Sequence, residues 1–241
     1  DPTYSNMFDG PTALVKERDA CGVGFIANTK HPASHKILTQ GLSALTCMEH
    51  RGACGGDFMS GDGAGIMTQI PWELLVQEEN SVIADLDLQD ENAQRPGVGF
   101  VFLPQDEDRR KAVQTTIEDV CKANELDFMG WREVPVNPDV LGPLARAASP
   151  SMYQFFVQPP ARLLSDKDHQ EKQDMQDGFE RTLYLVRRRF GVELENRGLT
   201  MAQQDDPESD VDAYVASFSS RTMVHKGMVQ SSVLPLFYQD L

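Results

Sequence analysis

Basic residues are scarce in this chain: 22 lysines and arginines stand against 37 aspartates and glutamates, a formal net charge of -15. That balance repels a phosphate backbone and excludes nucleic acid as the natural partner. Long apolar runs are missing as well. No stretch approaches the ~20 residues of a membrane-spanning helix, and no apolar signal-peptide core follows Asp1, so no membrane partner is expected. The acidic excess reads as the ordinary surface charge of a protein in a crowded cell rather than as a docking face. Cysteine is sparse too: Cys21, Cys47, Cys54 and Cys121, with no Cys-x-x-Cys pair. This irregular spacing suits neither a disulfide framework nor a zinc or iron–sulfur site. Free thiols and no metal are therefore expected.

What is present suffices for one large globular domain or two small ones: 241 residues, 40% hydrophobic. Residues 1–20, with Pro2, Gly10 and Pro11, read as an irregular leader. Cys21–Asn28, rich in Val, Phe and Ile, reads as a strand. Ile37, Leu38, Gly41, Leu42, Leu45 and Met48 recur at helical spacing, which predicts a helix over Lys36–His50. Glycines at 52, 55, 56 and 61 make Arg51–Asp62 a loop, and Gly63–Ile70 returns as a strand. Further along, Val98–Leu103, Asp127–Val134 and Met152–Val157 read as strands, Asp106–Asn124 and Gln173–Phe190 as helices, and Val211–Gly227 as two strands. Cys47 and Cys121 fall within helical patterns and are expected to pack in the core. The alternation fits a layered α/β domain, but composition does not separate parallel winding from sandwiched antiparallel sheets. The acidic stretches, about 78–94 and 165–177, match no pattern.

Three strings carry chemistry. In Ala20-Cys21-Gly22-Val23-Gly24-Phe25 a cysteine sits between small residues that leave its sulfur approachable. His50-Arg51-Gly52-Ala53-Cys54 and Ser60-Gly61-Asp62-Gly63-Ala64-Gly65 follow, an arginine and glycine-rich turns able to supply a fixed cation and backbone N–H groups. From the residues alone, Cys21 is either a nucleophile or a packed strand cysteine. Arg51 is either a surface ion-pair partner or a guanidinium beside that nucleophile. His50 reads as a hydrogen-bonding strut, Asp62 as a cap on N–H groups of its turn, and Cys54 as a loop thiol of undecided exposure. Ser219-Ser220-Arg221-Thr222 reads as strand and turn, and Arg187-Arg188-Arg189 as a solvated or ion-paired helix face.

Five strings in this order are specific: Cys21-Gly22-Val23-Gly24-Phe25; Met48 to Ala53; Ser60 to Gly65; Ser219 to Thr222 with Lys226-Gly227-Met228; and Phe237 to Leu241. Together they resemble the class II glutamine amidotransferases, and more closely the glutaminase domain of the glutamate synthase large subunit. The resemblance implies an α+β fold, the four-layer α-β-β-α arrangement of N-terminal nucleophile hydrolases, incomplete in this chain. It implies residues 1–20 as a leader or propeptide and residues 21–241 as the N-terminal part of the amidotransferase domain. Cys21 would be the catalytic nucleophile and Arg51 the residue that binds substrate or positions the site.

The family's cysteine stands at the mature N-terminus, where its own α-amine, of pKa about 7.7–8.0, serves as general base. With twenty residues before Cys21 that nitrogen is an amide, so the chain as written reads as a precursor. Two further family segments, Arg-Phe-Ser-Thr-Asn-Thr and Asn-Gly-Glu-Ile, which bind the glutamine carboxylate and form the oxyanion hole, do not occur before Leu241. The chain therefore reads as one piece of a larger polypeptide. The resemblance implies glutamine as substrate, the rest of a glutamate synthase as partner, and ferredoxin or an NAD(P)H-linked subunit as electron donor. It implies FMN and an iron–sulfur cluster in the parent enzyme, no cofactor in this chain, and a setting in the cytoplasm or plastid stroma. The alternatives are another class II glutamine amidotransferase, or an inactive precursor or fragment acting as a folding or interaction module.

Overall fold

The run Gly97–Leu103 shows no polar alternation, the pattern of a strand covered on both faces. In the computed structural model, which describes residues 21–30, 33–89, 95–160, 169–199 and 213–241, this run is β2, at the heart of a four-stranded sheet. On one side it pairs with β4 (Ser151–Gln158), which carries β3 (Asp127–Glu133), and on the other with β5 (Tyr214–Ser219). Every pairing is antiparallel, which settles the winding that composition left open. A second, two-stranded sheet joins β1 (Ala64–Gln69) to β6 (Thr222–Gly227), again antiparallel.

The two faces of β2 build two cores. Val101 and Leu103, with Phe155 and Val157 of β4, meet α3 (Glu107–Ala123) and α5 (His169–Asn196) through Val113, Ile117, Phe179, Leu183 and Phe190. Val98 and Phe100 face the other way. They join Phe156, Met223 of β6, Ile66 of β1, Leu75 of α2 (Trp72–Gln77) and the short α6 (Leu234–Phe237). Helices, large sheet and small sheet thus stack in that order. Gly99 makes the first core possible: a Cβ there would lie 2.0 Å from Phe155 Cε1. The Phe155 ring crosses β2 at that point and meets Phe218, Trp131 and Phe190 at centroid distances of 4.9, 5.3 and 5.9 Å. Asp106 caps α3, its Oδ1 accepting from the Arg109 N–H at 2.8 Å.

Three expectations are corrected. Cys21–Asn28 is not a strand: it is irregular and exposed, with Val23 93% and Phe25 94% accessible. Strand-forming residues become a strand only where an edge accepts their backbone hydrogen bonds, and among the described residues none pairs with this segment. Cys47 does not pack in the core but is exposed. Its helix, α1 (His35–Cys47), has the expected spacing yet buries no residue; it touches the small sheet where Gly41 faces Ile66. The expected helix 173–190 is longer, running His169–Asn196. Cys121 is buried as expected, and the last two strands are joined by the Ser219–Thr222 turn. The leader 1–20 and parts of the acidic stretches lie outside the described residues.

His225 of β6 lies between the sheets, 1% exposed. Its ring stands edge-on to Phe100 and Tyr238 at 5.2 and 4.9 Å, and neither ring nitrogen has a hydrogen-bond partner among the described residues. Burial pushes its pKa down to about 4, opposed by Asp240 and helped by Arg132. The folded pKa lies below the unfolded value of about 6.5. The neutral ring therefore supports the fold fully above about pH 6.5, and this contribution is lost as pH falls towards 4. Unfolding free energy should drop by roughly 2 kcal/mol between pH 6.5 and pH 5 from this residue alone. Denaturant titrations of the wild type and of His225→Phe should show that difference, and parallel pH profiles would contradict it.

Candidate functional site

The chain from Met48 to Gly63 is folded by short local hydrogen bonds. After α1, a 3-10 turn over Glu49–Arg51 closes with Arg51 N–H to Met48 O at 2.8 Å and Gly52 N–H to Glu49 O at 3.0 Å. His50 Nδ1 lies 3.0 Å from Cys47 O, the strut that its loop position suggested. Residues 53–62 then double back as a small hairpin. Cys54 bridges Gly61, Gly55 N–H donates to Ser60 O at 2.7 Å, and Asp62 N–H donates to Ala53 O at 3.1 Å.

Asp57, not Asp62, caps this turn. Its Oδ1 accepts from the N–H groups of Met59 and Ser60 at 3.0 and 2.8 Å. Its Oδ2 accepts from the Ser60 hydroxyl at 2.7 Å and from the N–H of Leu144 at 3.1 Å. These donors, Ser60 foremost, hold the Asp57 carboxyl well below the usual carboxylate range. Asp62 instead lies against Gly52, where an added Cβ would be 3.1 Å from its Oδ1. An Asp followed three residues on by Ser, beside paired glycines, is the readable mark of such a side-chain-capped turn. In this chain it marks Asp57, which the motif-based reading passed over.

The structure brings the cysteine segment and the arginine together. A Cβ built on Gly22 would lie 3.2 Å from Arg51 Cγ and 3.1 Å from Met48 Sδ. The backbone beside Cys21 thus rests on the stem of Arg51, and any side chain at position 22 would push them apart. Cys21, Arg51 and Cys54 are all exposed, and Arg51 forms no ion pair among the described residues. Cys121 is the opposite case: burial, with Glu118 assisting, pushes its thiol up to about 12 and leaves it inert.

The remaining motifs are structural. In the Ser219–Thr222 turn, Glu180 of α5 accepts from Ser219 Oγ at 2.9 Å, and from Ser220 N–H and Oγ at 2.6 Å each. Arg221 pairs with Asp177. Of the basic run, Arg187 donates to Val215 O at 2.7 Å and Arg189 donates to Asn124 Oδ1, so this face ties α5 to its neighbours. Among the described residues no group of His, Cys, Asp or Glu is arranged to hold a metal ion, and no helix is long and apolar enough to cross a membrane.

The hairpin base is set by contact as well as by hydrogen bonds. A Cβ at Gly61 would fall 2.3 Å from the carbonyl carbon of Val229, a backbone atom that has no way to yield, whereas Gly56 has open space around it. Gly61→Ala should cost roughly 2–4 kcal/mol, and Gly56→Ala less than about 0.5 kcal/mol. Thermal denaturation of the two variants side by side tests this, and equal melting temperatures would refute the close approach.

The family model "Glutamine amidotransferases class-II" matches residues 21–241. The chain is 44% identical over 240 residues to "Ferredoxin-dependent glutamate synthase 2" of Synechocystis sp., covering 99% of this chain and 14% of that protein. It is 40% identical over 229 residues to "Ferredoxin-dependent glutamate synthase 2, chloroplastic" of Arabidopsis thaliana, covering 95% of this chain and 12% of that protein. A chloroplastic relative from Oryza sativa is also 40% identical, with 95% and 13% covered. The chain thus spans about one-seventh or less of the length of these relatives. The chain belongs to the class II glutamine amidotransferases.

Proposed function

We propose that this chain is the N-terminal part of the glutaminase domain of a ferredoxin-dependent glutamate synthase. The observation that carries the reading is the packing of Gly22 on Arg51, directly beside the cysteine at which the family match begins.

In this reading the Ala20–Cys21 peptide bond is cleaved, and the freed α-amine, of pKa about 7.7–8.0, takes the thiol proton. The Cys21 thiolate attacks the side-chain amide carbon of glutamine. The tetrahedral adduct collapses as the amine returns the proton to the departing nitrogen, which leaves as ammonia. Water then attacks the γ-glutamyl thioester, releasing glutamate and restoring the thiol. Arg51 supplies a cation for the substrate carboxylate or for the loop that carries it. The oxyanion donors come from other parts of the longer polypeptide, which also passes ammonia to 2-oxoglutarate.

Ferredoxin is the electron donor in the names of the relatives and is proposed as the donor here. The FMN and iron–sulfur cluster implied by that dependence are assigned to the rest of the longer polypeptide. The chloroplastic relatives support a plastid stroma or its cytoplasmic counterpart. The four-layer α-β-β-α arrangement belongs to the same proposal, with α3 and α5, the two sheets and α1 as its layers.

The test is made on the full-length enzyme. Cys21→Ala should lower glutamine hydrolysis by at least about 10³-fold, and a glutamine-like electrophile should label Cys21 and spare Cys121. N-terminal sequencing of active enzyme from its native cell should begin at Cys21. Active enzyme retaining Asp1, or full activity in Cys21→Ala, would overturn the mechanism.

A further inference from the structure

We propose that Asp57 is a positioning residue for the glutaminase site, acting through Arg51; this rests on the reading given under Proposed function. Asp57 makes four hydrogen bonds with three residues, and they join two separate stretches of chain. Its carboxylate holds the tip of the 53–62 hairpin through Met59 and Ser60, and reaches Leu144 of α4 (Pro143–Ala147). Ser60 completes the link, since its Oγ donates to Asp57 and accepts from the N–H of Ala145 at 2.9 Å. The cap residue of α4, Gly142, has no side chain to offer. Asp57 and Ser60 therefore satisfy the N–H groups of the second and third residues of this helix from a loop more than 80 residues away.

A third tie fixes the tip from the other side, Gln230 Nε2 donating to Phe58 O at 3.2 Å. Phe58 itself is 81% exposed and has a φ of 57°. A bulky residue in the left-handed region is strained, and such strain persists only where the surroundings over-determine it. Asp57 and Gln230 supply that constraint.

On this proposal the hairpin aims Arg51, which stands in the preceding 3-10 turn, three residues before the Cys54–Gly61 bridge. The Arg51 backbone is held by one local hydrogen bond, to Met48, and its stem carries Gly22. Nothing else among the described residues fixes its guanidinium. A shift of the hairpin base would move Arg51 and the cysteine segment together, and small displacements of positioning groups cost disproportionately in rate. Asp57→Asn replaces one acceptor oxygen with a donor, which no longer accepts from both Leu144 and Ser60.

The experiment is a double-mutant cycle in the full-length enzyme, following glutamine hydrolysis. Asp57→Asn should raise KM for glutamine by about 10-fold with a smaller change in kcat, since substrate positioning is lost rather than the nucleophile. In the Arg51→Ala background, the same substitution should add less than about 2-fold, because its target is already gone. A merely structural role would lower activity by the same factor in both backgrounds, and that result would overturn the proposal. So would an unchanged KM in Asp57→Asn. Should Asp57→Asn fail to fold by circular dichroism, Ser60→Ala carries the same cycle, with a KM increase of about 3-fold expected and again no addition to Arg51→Ala. Arg51→Ala with a wild-type KM, or a wild-type enzyme that does not hydrolyse glutamine, would instead overturn the reading of the site.

Discussion

A single buried guanidinium organises the layer between the two sheets. Arg132 of β3 has five N–H donors, and all five are used. Nε and one terminal nitrogen meet Glu78, the two terminal nitrogens grip Asp240 at 2.8 and 2.9 Å, and the last N–H reaches Gln154 Oε1 at 3.0 Å. Its side chain is 9% exposed and that of Asp240 is 4% exposed. Burial opposes the charge, but Asp240 and Glu78 outweigh it and raise the Arg132 pKa above its already high value. A pair of this kind gives little net stability over an apolar replacement. It acts by exclusion, since any packing that separates Arg132 from either carboxylate strands a buried charge at a cost of about 3–5 kcal/mol. Glu78 follows α2 and Asp240 follows α6, so the constraint fixes both segments against the large sheet.

That same layer carries the constraint across to the small sheet. Gln154, opposite Arg132 in the β3–β4 register, donates from Nε2 to Met223 Sδ of β6 at 3.0 Å. Tyr238, two residues before Asp240, donates its hydroxyl to Lys226 O at 2.7 Å. His225 sits between these two links and stays neutral because burial, with the Arg132 charge nearby, outweighs the attraction of Asp240. From β6 the order passes by backbone pairing to β1, and β1 is the continuation of the hairpin that follows Arg51. The position of the candidate site thus depends on a charge cluster that shares no residue with it.

The sequence was most legible where periodicity and covered surface agree. β2 and the α3 pattern were read within a residue or two because both faces of β2 and one face of α3 meet apolar neighbours. Reading failed where a local pattern has no partner to complete it. Val23, Phe25 and Ile26 carry strand propensity, but propensity does not supply the edge that a strand requires. Cys47 has helical spacing, yet α1 covers too little of the small sheet to bury it. The Arg132 cluster was invisible for a different reason: its members are 54 and 108 residues apart, and no spacing rule connects them. Of the candidate site, Cys21 and Arg51 are proposed from family-like strings, whereas Asp57 has to be read through the turn chemistry that joins it to Ser60.

The contrast between Cys21 and Cys121 shows how the fold divides chemically equal residues. Cys121 is on α3 inside the aromatic core, where an anion has no donor and the thiol is held protonated. Cys21 lies outside both cores, on a segment whose Gly22 lies against Arg51 and Met48. Nucleophilic reactivity needs a thiolate with access and a nearby cation or base, and of these two positions the exposed one has access. Two glycines make this arrangement possible, Gly22 by letting the segment lie on Arg51 and Gly61 by letting the hairpin close against Val229. Each carries no side chain because backbone or arginine occupies the space where one would stand. The glycine-rich strings that first drew attention are thus points at which the chain folds tightly enough to lay the cysteine-bearing segment on the stem of an exposed arginine.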